Sequence, residues 1–310
     1  HTVPTYAAIQ EAAQRIRDGV IETPCTRTRA FRDLAPGNHY LKLENLQRTG
    51  SFKDRGALNR MLRLTEAERA RGVVTASAGN HAQAVAYHGG RLGISVTVVM
   101  PETAPLIKVT NTRGYGADVI QVGTILDDAA AEVQRLAAEE ELSIIHAFDD
   151  EDVIAGQGTM GLEILEQVPD VSVVVVPVGG GGMISGIACA IKEIKPDVRI
   201  IGVEADAAAS AKASRDAGEV VKIAASDTLA DGIATKRIGE ITYPLIERYV
   251  DELVSVGEEE IAAAILLLIE REKTVAEGAG AVGLAALMTG SVTLSETDRA
   301  VLLLSGGNID

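Results

Sequence analysis

The chain of 310 residues has no tryptophan, three phenylalanines and six tyrosines, so it lacks the aromatic platforms on which single-stranded nucleic acid stacks. It has only two cysteines, Cys25 in a Thr-Pro-Cys-Thr loop and Cys189 in an apolar helical stretch. Two cysteines make no disulfide framework and no cysteine metal cluster, and they fit a reducing cytoplasm. Long hydrophobic runs are missing as well. "VSVVVVPVGGGG" and "AAAILLLIE" are too short to span a bilayer, which excludes a membrane helix. The opening "HTVPTYAAIQEAAQRI" has neither the basic nor the apolar region of a signal peptide. Positive charge is scarce: 29 Lys and Arg against 44 Asp and Glu give a net charge of −15, a surface that repels phosphate backbones.

What is present is enough apolar residue, 46%, to bury a large core, over a length that suggests about two domains. Short β-branched runs alternate with longer helical patterns. The runs are "VVTAS" (73–77), "SVTVVM" (95–100), "ADVIQV" (117–122), "SVVVVPV" (172–178), "RIIGVEA" (199–205), "DELVSV" (251–256) and "AVLLLS" (300–305). Continuous apolar strands separated by helices predict an α/β fold, with open parallel sheets covered by helices on both faces. No linker, repeat or low-complexity tract divides the chain. The glutamates at 139–141 and 258–260 read as solvated helix faces. The chain closes on "LLLSGGNID", from which no regulatory domain and no feedback control are expected.

In open α/β sheets ligands sit at the carboxyl ends of strands. The glycine-rich and polar signals cluster there. "VVVVPVGGGGMISG" sets Gly179, Gly180, Gly181 and Gly182 between a buried strand and a helix, where unobstructed amides make a phosphate cradle. A dinucleotide site competes. Its Gly-x-Gly-x-x-Gly fingerprint fails here, yet Glu204 ends the next strand, where a ribose-binding acid would lie. "TASAGNHAQA" places Ser77, Gly79, Asn80 and His81 at a strand-to-helix turn. Ser77 or Asn80 taken alone reads as a helix cap, and the same helix start suits a carboxylate. Ser305 of "SGGN" ends the last strand, where a plain turn and a ligand-bonding hydroxyl are both open readings.

The stretch "RTGSFKDRGA" joins these signals. It sets Lys53 among small residues at a helix start. An aldehyde cofactor carrying a phosphate needs one amine as a Schiff base, one cradle and donors for its ring atoms. Lys53, Gly179–Gly182, Asn80 and Ser305 meet those needs together.

With "SFKDRGA", "SAGNHAQ", "GGGGMISG" and "SGGN" in this order, the chain resembles the fold-type II pyridoxal-phosphate enzymes (the tryptophan synthase beta-like fold) along its whole length. Within them it is similar to the threonine/serine dehydratase and serine racemase branch. The resemblance implies a pyridoxal 5'-phosphate cofactor. It implies that Lys53 holds the aldehyde and moves Cα protons, with Phe52 beside the ring and Gly232 on its other side. Asn80 meets the ring hydroxyl, Gly179, Gly180, Gly181, Gly182 and Met183 the phosphate, and Ser305 the pyridine nitrogen. Ser77, Asn80 and His81, with the amides of Ala78 and Gly79, receive the substrate carboxylate. It also implies a large domain of 1–71 and 148–310, a smaller mobile domain of 72–147, and a dimer or tetramer.

The expected reaction is β-elimination from L-threonine or L-serine to a 2-oxo acid and ammonia. The leaving hydroxyl is protonated, as the resemblance implies, by the cofactor's own phosphate. Other hydroxy amino acids, such as 3-hydroxyaspartate or a hydroxyectoine-breakdown product, and serine racemisation are the alternatives. An NAD-dependent oxidoreductase and a non-catalytic small-ligand binding protein are the rivals from other classes. Two departures stand out. Racemases of the branch carry a second serine as acid/base where this chain has Ala78, so dehydration without racemisation is expected. Relatives bind a divalent ion at positions matching Glu204, Ala208 and Ser210. Serine is a poor hard-cation ligand, so no metal is expected and Glu204 reads as a helix cap.

Overall fold

Val173, Val174, Val175 and Val176 are all fully buried, the pattern of a parallel strand covered on both faces. That strand is central to the first of two sheets in the computed structural model, which describes residues 2–309. In chain order the first third of the molecule runs α1 (Tyr6–Ile16), β1 (Cys25–Thr28), β2 (Asn38–Leu43), α2 (Lys53–Leu62), α3 (Glu66–Arg71), β3 (Val73–Ala76), α4 (Asn80–Arg91) and β4 (Val96–Met100). The middle runs α5 (Leu106–Gly114), β5 (Asp118–Gln121), α6 (Leu126–Glu140), β6 (Ser143–Ile144), α7 (Glu151–Gln167), β7 (Val173–Pro177) and α8 (Gly182–Ile194). The last part runs β8 (Arg199–Ala205), α9 (Ser210–Ala217), α10 (Thr242–Tyr249), β9 (Glu252–Val256), α11 (Glu258–Glu272), α12 (Gly278–Met288) and β10 (Arg299–Leu304).

One sheet has six strands in the order β1-β2-β10-β7-β8-β9, and the other has four in the order β5-β4-β3-β6. Pairing is parallel throughout both sheets except at one edge, where β1 runs antiparallel to β2 with Cys25 opposite Lys42. The α/β expectation with helix-covered, mainly parallel sheets is therefore met, with one antiparallel edge strand added. Cys25 starts that strand and does not sit in a loop.

The seven expected strands all appear within a residue or two of their expected bounds; β1, β2 and the two-residue β6 are additional. Helix α12 is buried on every side and packs against β7, β8, β9 and β10. Its small residues Gly, Ala and Val allow that close fit. The glutamates at 258–260 are not simply solvated. Glu258 accepts from Thr228 Oγ1 at 2.6 Å and from the Leu229 amide at 2.6 Å, which pins the long segment ahead of residue 231. Among the described residues no helix is long and apolar enough to cross a membrane.

Candidate active site

The turn before α2 explains the small residues around Lys53. The Phe52 amide donates to the Ser305 carbonyl at 3.0 Å, and Ser51 bridges Gly306, so the turn is laced to the end of β10. On the next positions Asp54 and Arg55 point into the protein. Asp54 accepts from the Thr49 amide at 2.9 Å and its hydroxyl at 2.8 Å, and lies 2.9 Å from His88 Nε2 on α4. Arg55 is fully buried between Glu44, at 2.6 Å, and Glu163. Lys42 reaches the same Glu163 at 2.7 Å. Burial opposes these charges, but their mutual attraction outweighs it. The Glu44 carboxyl is held below its ordinary range and the Arg55 guanidinium above. Lys53 is thus the first residue of a helix anchored by charges on either side of its axis.

The Lys53 amine donates to the Ala147 carbonyl at 2.8 Å and lies 5.1 Å from the centre of the Phe52 ring. Burial pushes its pKa down to about 8, with the Glu277 carboxylate pulling the other way. It opens into a cavity of about 370 Å³, a size suited to a small ligand. Every expected site residue lines that cavity: Phe52, Lys53, Ser77, Ala78, Gly79, Asn80, His81, Gly179, Gly180, Gly181, Gly182, Met183, Gly232 and Ser305. The residues come from the carboxyl ends of β3, β7 and β10, from the start of α2 and from the segment before α10.

The glycine run lies between β7 and α8. Gly181 has φ +94°, a backbone that other residues resist. A Cβ on Gly180 would lie 2.2 Å from the Phe148 ring. The Gly180 carbonyl accepts from Thr242 Oγ1 at 2.8 Å, which holds the loop from behind. The amides of Gly180, Gly181, Gly182 and Met183 find no acceptor among the described residues, although these residues are buried. Buried, unpaired amides at a helix N-terminus are donors waiting for an anion. Ser305, just after β10, is 2% exposed and lines the same cavity.

At the start of α4 the Ser77 hydroxyl accepts from the amides of Gly79 at 3.1 Å and Ala82 at 3.2 Å, a capping bond supplied from two residues ahead of the N-cap, Gly79. That engages the Gly79 amide within the chain and leaves those of Ala78, Asn80 and His81 without an acceptor among the described residues. His81 Nε2 lies 2.8 Å from the Ile145 carbonyl, which can only accept, so the proton sits on Nε2. Burial and then the nearby Lys53 push its pKa down to about 3 and keep the ring neutral. Its Nδ1 is an acceptor, so His81 offers a carboxylate its backbone amide and no side-chain proton.

Glu277 and Asn308 were not singled out from sequence. Asn80 Nδ2 donates to Glu277 Oε1 at 2.6 Å, and Asn308 Nδ2 donates to Asn80 Oδ1 at 2.8 Å. Asn80 is thereby oriented with one amide hydrogen to spare. Burial raises the Glu277 pKa to about 7 against the pull of the Asn80 bond. Asn308 lay within reach of the "SGGN" signal, whereas Glu277 reads in sequence as an ordinary residue before a helix. Lys108, Asp231 and Phe148 also line the cavity without having been picked out.

Glu204 lies away from the cavity. Its carboxylate accepts from the amides of Ala211 at 2.6 Å and Lys212 at 3.0 Å, as a cap on α9, and burial raises its pKa to about 7. Both oxygens are occupied in this way, and no group of three or more His, Cys, Asp or Glu that could hold a metal occurs among the described residues.

Comparison with known proteins gives one family. The model of the pyridoxal-phosphate dependent enzymes matches residues 16–306. The L-threonine ammonia-lyase of Thermotoga maritima is 49% identical over 99% of this chain and 76% of its own length. The catabolic L-threonine dehydratase of Escherichia coli is 45% identical over 97% of this chain and 92% of its own. Among solved structures, a threonine deaminase from T.th. superposes with a TM-score of 0.93 at 41% identity, covering 99% of both chains. The serine racemase of Dictyostelium discoideum superposes with a TM-score of 0.93 at 37% identity, covering all of both.

Proposed function

The chain belongs to the pyridoxal-phosphate dependent enzymes, and from that premise we propose that it is an L-threonine/L-serine ammonia-lyase. The observation that carries this reading is one cavity that holds both the Lys53 amine and the open amides of the glycine run. The residues fit the cofactor on physical grounds. Four unpaired buried amides suit its phosphate, and an amine with a pKa lowered to about 8 suits its aldehyde. The relatives' names support the choice of substrate.

In this reading Lys53 would hold the cofactor's aldehyde, with Phe52 and Gly232 beside its ring. The amides of Gly180 to Met183 would take its phosphate, Asn80 its ring oxygen with the spare amide hydrogen, and Ser305 its ring nitrogen. When bound, the cofactor draws electrons from the substrate's α-carbon. The amides of Asn80 and His81 hold the substrate carboxylate at the start of α4. The Lys53 amine would take the α-proton as general base. Ser305 is a neutral partner and cannot sustain a full positive charge on the ring nitrogen as a carboxylate would. That would favour prompt loss of the β-hydroxyl. The water lost in the elimination is returned at hydrolysis, so threonine gives 2-oxobutanoate and ammonia, and serine gives pyruvate and ammonia.

The reading also takes residues 72–147, with the four-stranded sheet, as a unit that closes over the substrate and excludes water. It places the enzyme in the cytoplasm as a homo-oligomer. The experiment is a panel of L-threonine, L-serine and 3-hydroxyaspartate assayed for 2-oxo acid release by the wild type and by Lys53→Ala. The wild type is expected to act on threonine and serine and to be covalently labelled at Lys53 after borohydride. The variant should lose at least about 10³-fold in rate. A coloured wild-type protein that releases no 2-oxo acid from the panel would refute the proposal.

A further inference from the structure

The cavity wall has a simple charge inventory. Among the described residues lining it, the cations are Lys53 and Lys108 and the carboxylates are Glu277 and Asp231. His81 is neutral. Lys53 and Glu277 belong to the end with Asn80 and Ser305. Lys108 comes from α5, beside the four-stranded sheet, and its amine lies 2.9 Å from Asp231 Oδ2 across the mouth. Asp231 directly precedes Gly232 in a short 3-10 turn, Asp231–Ile233. The lysine side chain is 17% exposed and the aspartate 57%, so the pair stands at the border between cavity and water. A second ion pair, Lys222 with Asp127 of α6 at 2.9 Å, also joins the stretch between α9 and α10 to a helix of the four-stranded sheet.

An amino acid with its carboxylate on the Asn80 and His81 amides and its nitrogen toward Lys53 directs its side chain at the wall that remains. That wall is Pro101, Lys108 and Leu126 on one side and Asp231 to Thr235 on the other. Apart from the ion pair and the Thr235 hydroxyl it is apolar.

We propose that the Lys108–Asp231 pair sets the charge selectivity of this wall and restricts the enzyme to β-hydroxy amino acids with uncharged side chains. The inference rests on the ammonia-lyase reading above and deepens it. Asp231 compensates Lys108, so a substrate's second carboxylate arriving there meets an aspartate already in place. It is desolvated without a cation of its own. The net charge of −15 adds repulsion on approach. Serine and threonine bring no charge to that wall and are accepted.

The test is a graded charge series on the holoenzyme: wild type, Asp231→Asn, Asp231→Lys and Lys108→Met. The readout is the ratio of kcat/KM for threo-3-hydroxyaspartate to that for L-threonine. The ratio is expected to rise at least about tenfold in Asp231→Asn, to rise again in Asp231→Lys, and not to rise in Lys108→Met. Added salt should shrink the differences. A binding readout accompanies it, because L-aspartate and L-alanine have no leaving hydroxyl and perturb the visible cofactor band without turnover. The affinity of L-aspartate relative to L-alanine should climb through the same series. A flat ratio together with flat relative binding overturns the inference. A wild type that turns over neither hydroxy amino acid counts against the ammonia-lyase reading instead, and the binding series still decides the role of the pair.

Discussion

Asn80 at the start of α4 donates its side-chain amide to Glu277, the residue before α12, at 2.6 Å. The contact joins the helix that follows the four-stranded sheet's β3 to the helix buried against the six-stranded one. It fixes which way the Asn80 amide faces, and it partly offsets the burial that makes Glu277 sensitive to pH.

The Glu277 pKa is about 7 in the folded chain against an ordinary 4.5, raised chiefly by burial. The folded state therefore binds the proton more tightly than the unfolded one. This group's contribution to stability is fully present below pH 4.5 and is lost as pH rises to about 7. Subtracting the curve of Glu277→Gln from that of the wild type isolates it from Lys53 and His81, which titrate the other way. The wild type should lose about 3 kcal/mol relative to the variant across that window. Urea unfolding at a series of pH values checks it; a constant difference would show that Glu277 keeps an ordinary pKa.

Gly180→Ala puts a methyl group 2.2 Å from the Phe148 ring. The ring or the loop must shift, at about 1–3 kcal/mol. Cofactor affinity, read by titrating the visible band, should fall with it, and Phe148→Leu in the same chain should restore part of both. Restoration of neither would mean that the methyl acts somewhere other than on Phe148.

Arg55→Met removes a fully buried guanidinium and leaves Glu44 and Glu163 facing each other without their shared partner. The expected loss is about 3–5 kcal/mol. Arg55→Met with Glu44→Leu should be less unstable than the single change, since one stranded charge is gone. Chemical denaturation of the two variants gives the comparison directly.

By the resemblance to the racemase branch, residue 78 is where an acid/base would deliver a proton from the side away from the lysine, and here it is alanine, whose methyl group cannot move a proton. Long incubation with L-serine is expected to yield pyruvate and no measurable D-serine by chiral chromatography. Ala78→Ser is expected to produce D-serine. Appreciable D-serine from the wild type would overturn this.

Much of this architecture was legible because local signals and final structure agree. Val173 to Pro177 is apolar, β-branched and followed by glycine, and it is a buried strand in the structure. Other parts were hidden because distant partners decide them. Lys42 sits in "NHYLKL" and reads as a solvent residue. It is fully buried because Thr23, Glu163 and Gln167 supply acceptors at 2.7, 2.7 and 2.9 Å. That pairing makes β2 possible, and β1 follows as its edge partner. Arg55 likewise reads as an exposed charge until Glu44 and Glu163 are brought to it from residues 11 and 108 positions away. The cavity loops were visible because glycine and small residues mark places where backbone itself meets a ligand. Glu277 carried no such mark, since its role depends on Asn80, 197 residues earlier in the chain.

The strands of the two sheets deliver their cavity residues from one end only: Ser77 after β3, Pro101 after β4, Phe148 after β6, Gly179 after β7 and Ser305 after β10. The opposite rim, at the turns near 169–172 and 195–198, contributes nothing to the cavity wall. Affinity handles, fluorophores or surface tethers could be grafted on that rim and would leave turnover untouched. It is the side by which the molecule can be held while it works.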